Sequence, residues 1–315
     1  MRAARVHQWA ADPVVEDAPE PQPGEGESLV QVAVASVAHI DLNVAGGEFA
    51  YTPPLPHVPG TEAAGTVVSS ARFPAGTRVR IYGAGVGIWR AGACSELAAV
   101  PDEALAAIPD DAAFEVAASF FSPCLTAHAA LHEVGRLEAG ERLAVTGASG
   151  AVGSIAMQLA RRAGAEVVAV TRDAARAPAI PNGAEVRHPG DRSFEPVDLL
   201  FDTVGGEALP GLVLENVKPG GRAVLVGYAA GEELRLPLPL LMAADVRLLP
   251  MNLIRRGAGL EDVAAGLLDD IVRDDLILPL TVLELAQIGE ALDRIRAGTA
   301  AGRVALRLRD SRQHA

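Results

Sequence analysis

Lysine is almost missing from this chain. Of its 27 basic residues one is a lysine, Lys218 in a KPGG turn. Schiff-base catalysis is therefore excluded unless that turn residue is the nucleophile. Cysteine is nearly as scarce: Cys94 and Cys124 are the only two. They are too few for a disulfide framework or a four-cysteine zinc lobe, and are expected to be buried or idle thiols. Positive charge is outnumbered, 40 acidic residues against 27 basic, for a net charge of −13 with no compensating basic cluster. A nucleic-acid backbone is thus an unsuitable partner, and a small molecule is expected. No apolar run reaches the roughly 18 residues of a membrane-spanning helix, and the opening MRAARVHQWA lacks the apolar block of a signal peptide. The expectation is a soluble, cytoplasmic protein without a membrane partner.

What the chain does have is apolar material, half of its 315 residues. That length exceeds a usual single domain and favours two. Residues 1–118 read as β-rich, with SLVQVAVAS (28–36), AAGTVVSS (63–70) and TRVRIYG (77–83) separated by Pro and Gly. From about 120 the pattern changes. LTAHAALHEV (125–134) reads as helix, RLAVTG (142–147) as strand, AVGSIAMQLARRAG (151–164) as helix and AEVVAVT (165–171) as strand. A strand, helix and strand in that order make a βαβ unit. DLLFDTVGG (198–206) and GRAVLVGYA (221–229) add apolar strands that suit a parallel sheet covered on both faces. The tail holds two helical patterns, EDVAAGLLDDIVR and ELAQIGEALDRIRAG, then the strand GRVALRL, which is expected to pair with the first domain.

VTGASGAVGS (145–154) is the most informative stretch. It follows a predicted strand, opens a predicted helix, and spaces Gly147, Gly150 and Gly153 three apart. Such a loop lets the backbone approach a pyrophosphate and offers it the helix N-terminus. The cofactor-binding candidates are therefore Gly147, Ala148, Ser149, Gly150, Ala151, Val152 and Gly153. An NAD site places a carboxylate about 20 residues after the last glycine, and an NADP site a cation or hydroxyl. Nineteen residues beyond Gly153 stands Arg172, after Thr171. A guanidinium there can clasp a 2′-phosphate and the threonine can donate to it, which favours NADPH. Asp173, one step on, is the rival reading.

The ordered segments PHVPGTEAAGTV (56–67), GACSELAAVPDEAL (92–105), SPCLTAHAAL (122–131), VTGASGAVGSIAMQLARRAGAEVVAV (145–170), DLLFDTVGG, LENVKPGGRAVLVG (214–227) and AGRVALRL (301–308) resemble the medium-chain dehydrogenase/reductase superfamily. Within it they are most similar to the zinc-independent quinone oxidoreductase-like branch. The resemblance implies an α/β fold, a GroES-like β-rich catalytic domain plus a Rossmann doubly wound parallel-sheet domain. The expected boundaries are 1–122 for the first part of the catalytic domain, 123–250 for the Rossmann domain and 251–315 for the return, with the active site in the cleft. It implies homodimerisation through an edge strand, for which RLLPMNLI (247–254) is the candidate. It places nicotinamide near Thr126, Gly227 and Tyr228, puts Thr203 and Val204 on the adenosine and ribose side, and lets Arg303 reach the cofactor. Zinc-dependent relatives carry metal ligands where this chain has Ala38, Thr61 and Ser122, so no metal is expected. NADPH-dependent reduction of quinones or α,β-unsaturated carbonyls then follows, and Phe49 and Asn43 in place of the family's usual residues weaken quinone specificity.

His39, Asp41 and Tyr51 are the candidate catalytic residues, though Asp41 better suits a structural bond to nearby backbone. Asn43, Phe49, Tyr82 and Trp89 are the candidate substrate pocket. His128 stands where relatives often have an aromatic, and His57 reads as structural. Pro178 and Pro181 interrupt a helix usual in relatives. Two other functions stay open: a trans-acting enoyl reductase working on a carrier-bound chain, and a non-catalytic NADPH-binding structural or regulatory protein.

Overall fold

The computed structural model describes residues 1–47, 52–172, 180, 184–191, 194–256 and 259–308. The chain divides into two units, Met1–Phe121 with Leu280–Ala315, and Ser122–Pro279. In the first, β1 (Arg2–Arg5) and β2 (Val14–Asp17) form a small antiparallel pair. β3 (Glu27–Val37) follows, then α1 (His39–Gly46), β4 (Glu62–Ser69), β5 (Arg78–Tyr82), β6 (Leu97–Pro101), β7 (Leu105–Ala107) and the short α2 (Phe114–Ala117). Along β3 burial alternates residue by residue before the strand dives into the core, as a sheet with one packed face requires.

The second unit opens with α3 (Phe121–His128), which continues as a π-helical turn over Ala129–Val134. Next come β8 (Arg142–Thr146), α4 (Ala151–Arg162), β9 (Glu166–Val170), β10 (Glu185–Arg187), β11 (Val197–Asp202), α5 (Leu209–Asn216), β12 (Val217–Leu225), α6 (Leu238–Ala244), β13 (Arg247–Pro250), α7 (Leu253–Arg256) and α8 (Glu261–Val272). Its strands lie in the order β10-β9-β8-β11-β12-β13, every neighbouring pair parallel. The strand order reverses at β8, so β8 and β11 flank the point where ligands settle in open parallel sheets. RLLPMNLI holds the edge strand β13, and the expected KPGG turn lies inside β12, absorbed by a register shift against β11.

The chain then returns to the first unit with β14 (Leu280–Glu284), α9 (Ile288–Arg296) and β15 (Arg303–Arg307). β15 pairs antiparallel with β3 and parallel with β14, as expected of a last strand in need of a sheet. Ile288, Ala291, Leu292 and Ile295 bury one face of α9 in the first unit's core, at the i, i+3, i+4, i+7 spacing of an amphipathic helix. The return comes at Leu280 and not at 251, which corrects the expected boundary. Residues 251–279 stay with the second unit because the side-chain amide of Gln158 on α4 pairs with both backbone groups of Ile277, at 2.8 and 2.9 Å, and Arg162 bonds Asp270 at 2.5 Å.

Among the described residues no helix is long and apolar enough to cross a membrane.

Candidate functional site

At the C-terminal end of β8 the chain turns at Gly147, in the left-handed region at φ 61°. Gly150 N donates back to the Gly147 carbonyl at 2.8 Å, and Ala148 N to Val170 O at 3.3 Å, which ties the loop to β9. At Gly153 a Cβ would overlap the Gly147 carbonyl oxygen, so helix and loop close only on glycine. Gly150 caps α4 with no side-chain acceptor, and the first turn of the helix carries no acid. The N–H groups of Ala151, Val152 and Gly153 therefore have no helical acceptor and form a cradle for an anion. Arg161 and Arg162 at the other end suit the helix dipole.

The remaining cofactor candidates of this unit collect on the same sheet end. Thr171, buried just beyond β9, meets Ser149 hydroxyl to hydroxyl at 3.3 Å, and Arg172 beside it is exposed. Asp173, Pro178 and Pro181 lie outside the described residues. Thr203 and Val204 follow β11, and Gly227 and the exposed Tyr228 follow β12. Gly227 packs backbone to backbone on Thr203, with no room for a Cβ. Thr126 is buried on α3.

Two residues that tie this end together escaped the sequence reading. Thr146 Oγ1 donates to Asp202 at 2.6 Å and accepts from Thr203 N at 2.9 Å, while Gly205 N donates to the second Asp202 oxygen at 2.9 Å. Burial raises the Asp202 carboxyl above its usual range, and the Thr146 and backbone donors oppose that rise. The only available signal was an acid at the end of an apolar strand, directly before a TVGG turn. Lys218 sits at the opposite end of the sheet, where its ammonium bonds both oxygens of Asp198 at 2.9 Å. It is a structural cation, remote from the glycine loop.

The first unit gathers a second cluster. β3 hands over to α1 at Ala38, and there Asp41 Oδ2 accepts from Ala38 N at 2.8 Å while Oδ1 accepts from Gly60 N at 3.0 Å. Asp41 is 1% exposed, and burial pushes its carboxyl up to about 6 against the pull of those donors and of Arg303. This corrects its place among the catalytic candidates: both oxygens are engaged in closing the β3–α1 turn. Arg303, 7% exposed, forms a buried ion pair with Glu62 and reaches Ser36 Oγ at 3.0 Å. Its Nε has no protein partner among the described residues.

His39 opens α1 with an exposed ring, and partial desolvation together with the Arg303 charge lowers its pKa. Its imidazole is thus neutral at neutral pH. Tyr82 packs on Phe121 at 4.5 Å between ring centroids, and burial with the nearby Glu62 raises its phenol, so it stays protonated. Trp89, 46% exposed, lays its indole over Gly85. Asn43 is half-buried on α1. Tyr51 and Phe49 lie outside the described residues. His57 is buried and bonds Gly87 O at 3.2 Å, the structural role expected of it. Cys94 and Cys124 are buried and form no disulfide.

Known proteins resemble both units. The alcohol dehydrogenase GroES-like domain family matches residues 24–110, and the zinc-binding dehydrogenase family matches residues 151–267. A zinc-type alcohol dehydrogenase-like protein of Schizosaccharomyces pombe is 34% identical over 209 residues, 66% of this chain and 63% of that protein. A probable quinone oxidoreductase of the same yeast is 28% identical over 305 residues, 91% of this chain and 90% of that one. The solved structure of mycobacterial Rv1454c complexed with NADPH superposes with a TM-score of 0.84 at 27% identity, covering 98% of this chain and 100% of the other. With a GroES-like unit, a parallel-sheet unit built round a dinucleotide-type glycine loop, and these relatives, the chain belongs to the medium-chain dehydrogenase/reductase superfamily of oxidoreductases, in its quinone oxidoreductase-like branch.

Proposed function

We propose that this chain is an NADPH-dependent, zinc-independent reductase of quinones or α,β-unsaturated carbonyls. The observation that carries the proposal is the uncapped N-terminus of α4, with Ser149, Thr171 and Arg172 grouped beside it. The N–H groups of Ala151, Val152 and Gly153 hold the pyrophosphate. A carboxylate at the end of β9 would repel a 2′-phosphate. Hydroxyls at Ser149 and Thr171 and the exposed guanidinium of Arg172 instead attract one. The NADPH bound by the mycobacterial neighbour supports the same choice.

The donor set does not suit a catalytic zinc. Ala38, Thr61 and Ser122 stand at the ligand positions of zinc-dependent relatives, Glu62 is paired with Arg303, and among the described residues no group of three or more His, Cys, Asp or Glu could hold a metal. A catalytic zinc takes three protein ligands and a structural one four. This supports chemistry on an acceptor already electron-poor, as quinones and enones are, and quinone oxidoreductases stand among the relatives.

When bound, the reduced nicotinamide supplies a hydride to the β-carbon of such an acceptor. The C=C pair becomes the Cα–carbonyl double bond of an enolate as the carbonyl π pair moves onto oxygen, and a proton from water is then added at the α-carbon. The protein's part is positioning and hydrogen bonding. Neutral His39 donates to the developing oxyanion, and Trp89 offers a flat apolar surface to a planar acceptor. We also propose assembly as a homodimer through the β13 edge.

NADPH absorbance followed at micromolar enzyme, against a panel of quinones and enones, tests the reading. Oxidation with at least one acceptor is expected, and none with any acceptor would overturn it. Arg172→Ala is expected to lower the preference for NADPH over NADH about tenfold, or ~1.4 kcal/mol. An unchanged preference would place the 2′-phosphate elsewhere.

A further inference from the structure

We propose that His128 and His132 form a two-imidazole binding site for a borderline divalent cation of the zinc, copper and nickel class. The residues stand four apart where α3 passes into its π-helical turn, and their ring centroids lie 4.9 Å apart at an interplanar angle of 53°. Two histidines at i and i+4 project from one face of a helix, as in helical zinc motifs. Imidazole is a ligand suited to these cations.

Three of the other four described histidines are hydrogen-bonded: His7 bonds Glu16, His57 bonds Gly87 O, and His188 accepts from Gly190 N. His39 stands alone, so only at 128 and 132 do two imidazoles without such partners meet. Neither His128 nor His132 has a hydrogen-bond partner among the described residues; the two rings lie against each other, and the Glu133 carboxylate is near His128. Both are half-buried, and the apolar side of the same turn, Ala129, Ala130 and Leu131, is fully buried. The imidazoles therefore hold the open side of the helix with their nitrogens unengaged. Burial lowers both pKa values, and for His128 the neighbouring His132 lowers it further while Glu133 opposes the shift, so both rings are neutral at neutral pH. Simple packing would be served better by an apolar pair, which would leave no polar nitrogens half out of water.

The helix geometry is a second observation. π-helical turns are rare and concentrate at functional sites. Here the turn gives the 128–132 face a geometry distinct from that of a regular helix. With two protein ligands, the remaining coordination positions belong to water. The test of the site is independent of any acceptor.

The test uses the full chain without a histidine tag. Calorimetric titration with Zn²⁺ or Ni²⁺ near pH 7.5 is expected to show one equivalent bound. His128→Gln and His132→Gln are each expected to weaken binding at least about tenfold, whereas His188→Gln leaves it unchanged. Acidification to pH 5 should release the metal, because protons compete for the same nitrogens. A wild-type chain that binds no metal, or correctly folded variants that bind like wild type, would overturn the proposal. Cu²⁺ electron paramagnetic resonance on the wild-type chain gives a readout that needs no variant: superhyperfine coupling to two imidazole nitrogens supports the site, and coupling to one or none overturns it.

Discussion

Each unit contains a strand that turns into a helix, and the two turns are built in opposite ways. After β3, the first turn of α1 is closed by its own side chain: Asp41 accepts from Ala38 N and also from Gly60 N, with no oxygen left over. After β8, the first turn of α4 begins at a glycine that caps nothing, and its leading N–H groups stay open. The same local element is a fastening in one place and an anion cradle in the other. The distinction lies in where the hydrogen-bond donors are satisfied, since a helix always starts with orphan N–H groups.

The charges follow the same division. In the first unit, charge is buried for structure, as in the Glu62–Arg303 pair beneath Ser36. On the second, Arg172 is exposed at the ligand end, while Lys218 and Asp198 pair at the far end of the sheet. If this contrast holds, mutations in the first unit should affect folding, and those in the glycine loop should affect the ligand.

The largest expected effect is in the first unit. Glu62→Ala leaves the Arg303 guanidinium buried and uncompensated, and should cost about 3–5 kcal/mol in urea unfolding. An unchanged midpoint would mean that the pair contributes no stability. A smaller effect, on the order of 2 kcal/mol, is tied to pH through Asp41. Its carboxyl rises from 3.8 to about 6 in the folded chain, so the native state binds the proton more tightly than the unfolded state. Stability from this group is fully present below the unfolded value and is lost as pH rises through 6. Wild type should therefore gain stability relative to Asp41→Asn between pH 8 and pH 4 in paired thermal melts. A relative loss on acidification would mean that the charged form is the one stabilised.

The smallest expected effect separates two glycines of one loop. Gly153→Ala places a methyl against the Gly147 carbonyl, whereas Gly150→Ala meets the same oxygen only at 3.2 Å. NADPH affinity, read by fluorescence titration, should fall about tenfold for the first, ~1.4 kcal/mol, and less than threefold for the second. Equal losses would show that the loop tightens uniformly, and that close packing at Gly153 has no special weight.

Much of the fold could be read directly. The apolar strands at 28–36, 63–70, 142–147 and 165–171 and the helix at 151–164 recur in the structure within a residue or two, because each carries its own period of burial. The glycine loop was equally legible, since its glycines answer to backbone geometry within ten residues. Short strands such as β1, β2, β10 and β14 carried too little pattern to be seen. Nor did the pattern show that α8 belongs with the second unit, because that depends on Gln158 meeting Ile277, 119 residues away.

By itself, then, the sequence determined the local periods, the glycine loop, and the scarcity of lysine and cysteine. All of these are properties of single residues or short windows. Tertiary structure alone decided which polar groups meet: that Asp41 fastens a turn, that Arg303 finds Glu62 across 241 residues, that Thr146 and Asp202 lock the sheet end, and that His128 lies against His132 with both rings unengaged. The reason is that burial and hydrogen-bond partnership are set by packing between distant segments, and those two quantities decide whether a polar side chain serves the scaffold or remains available to a ligand.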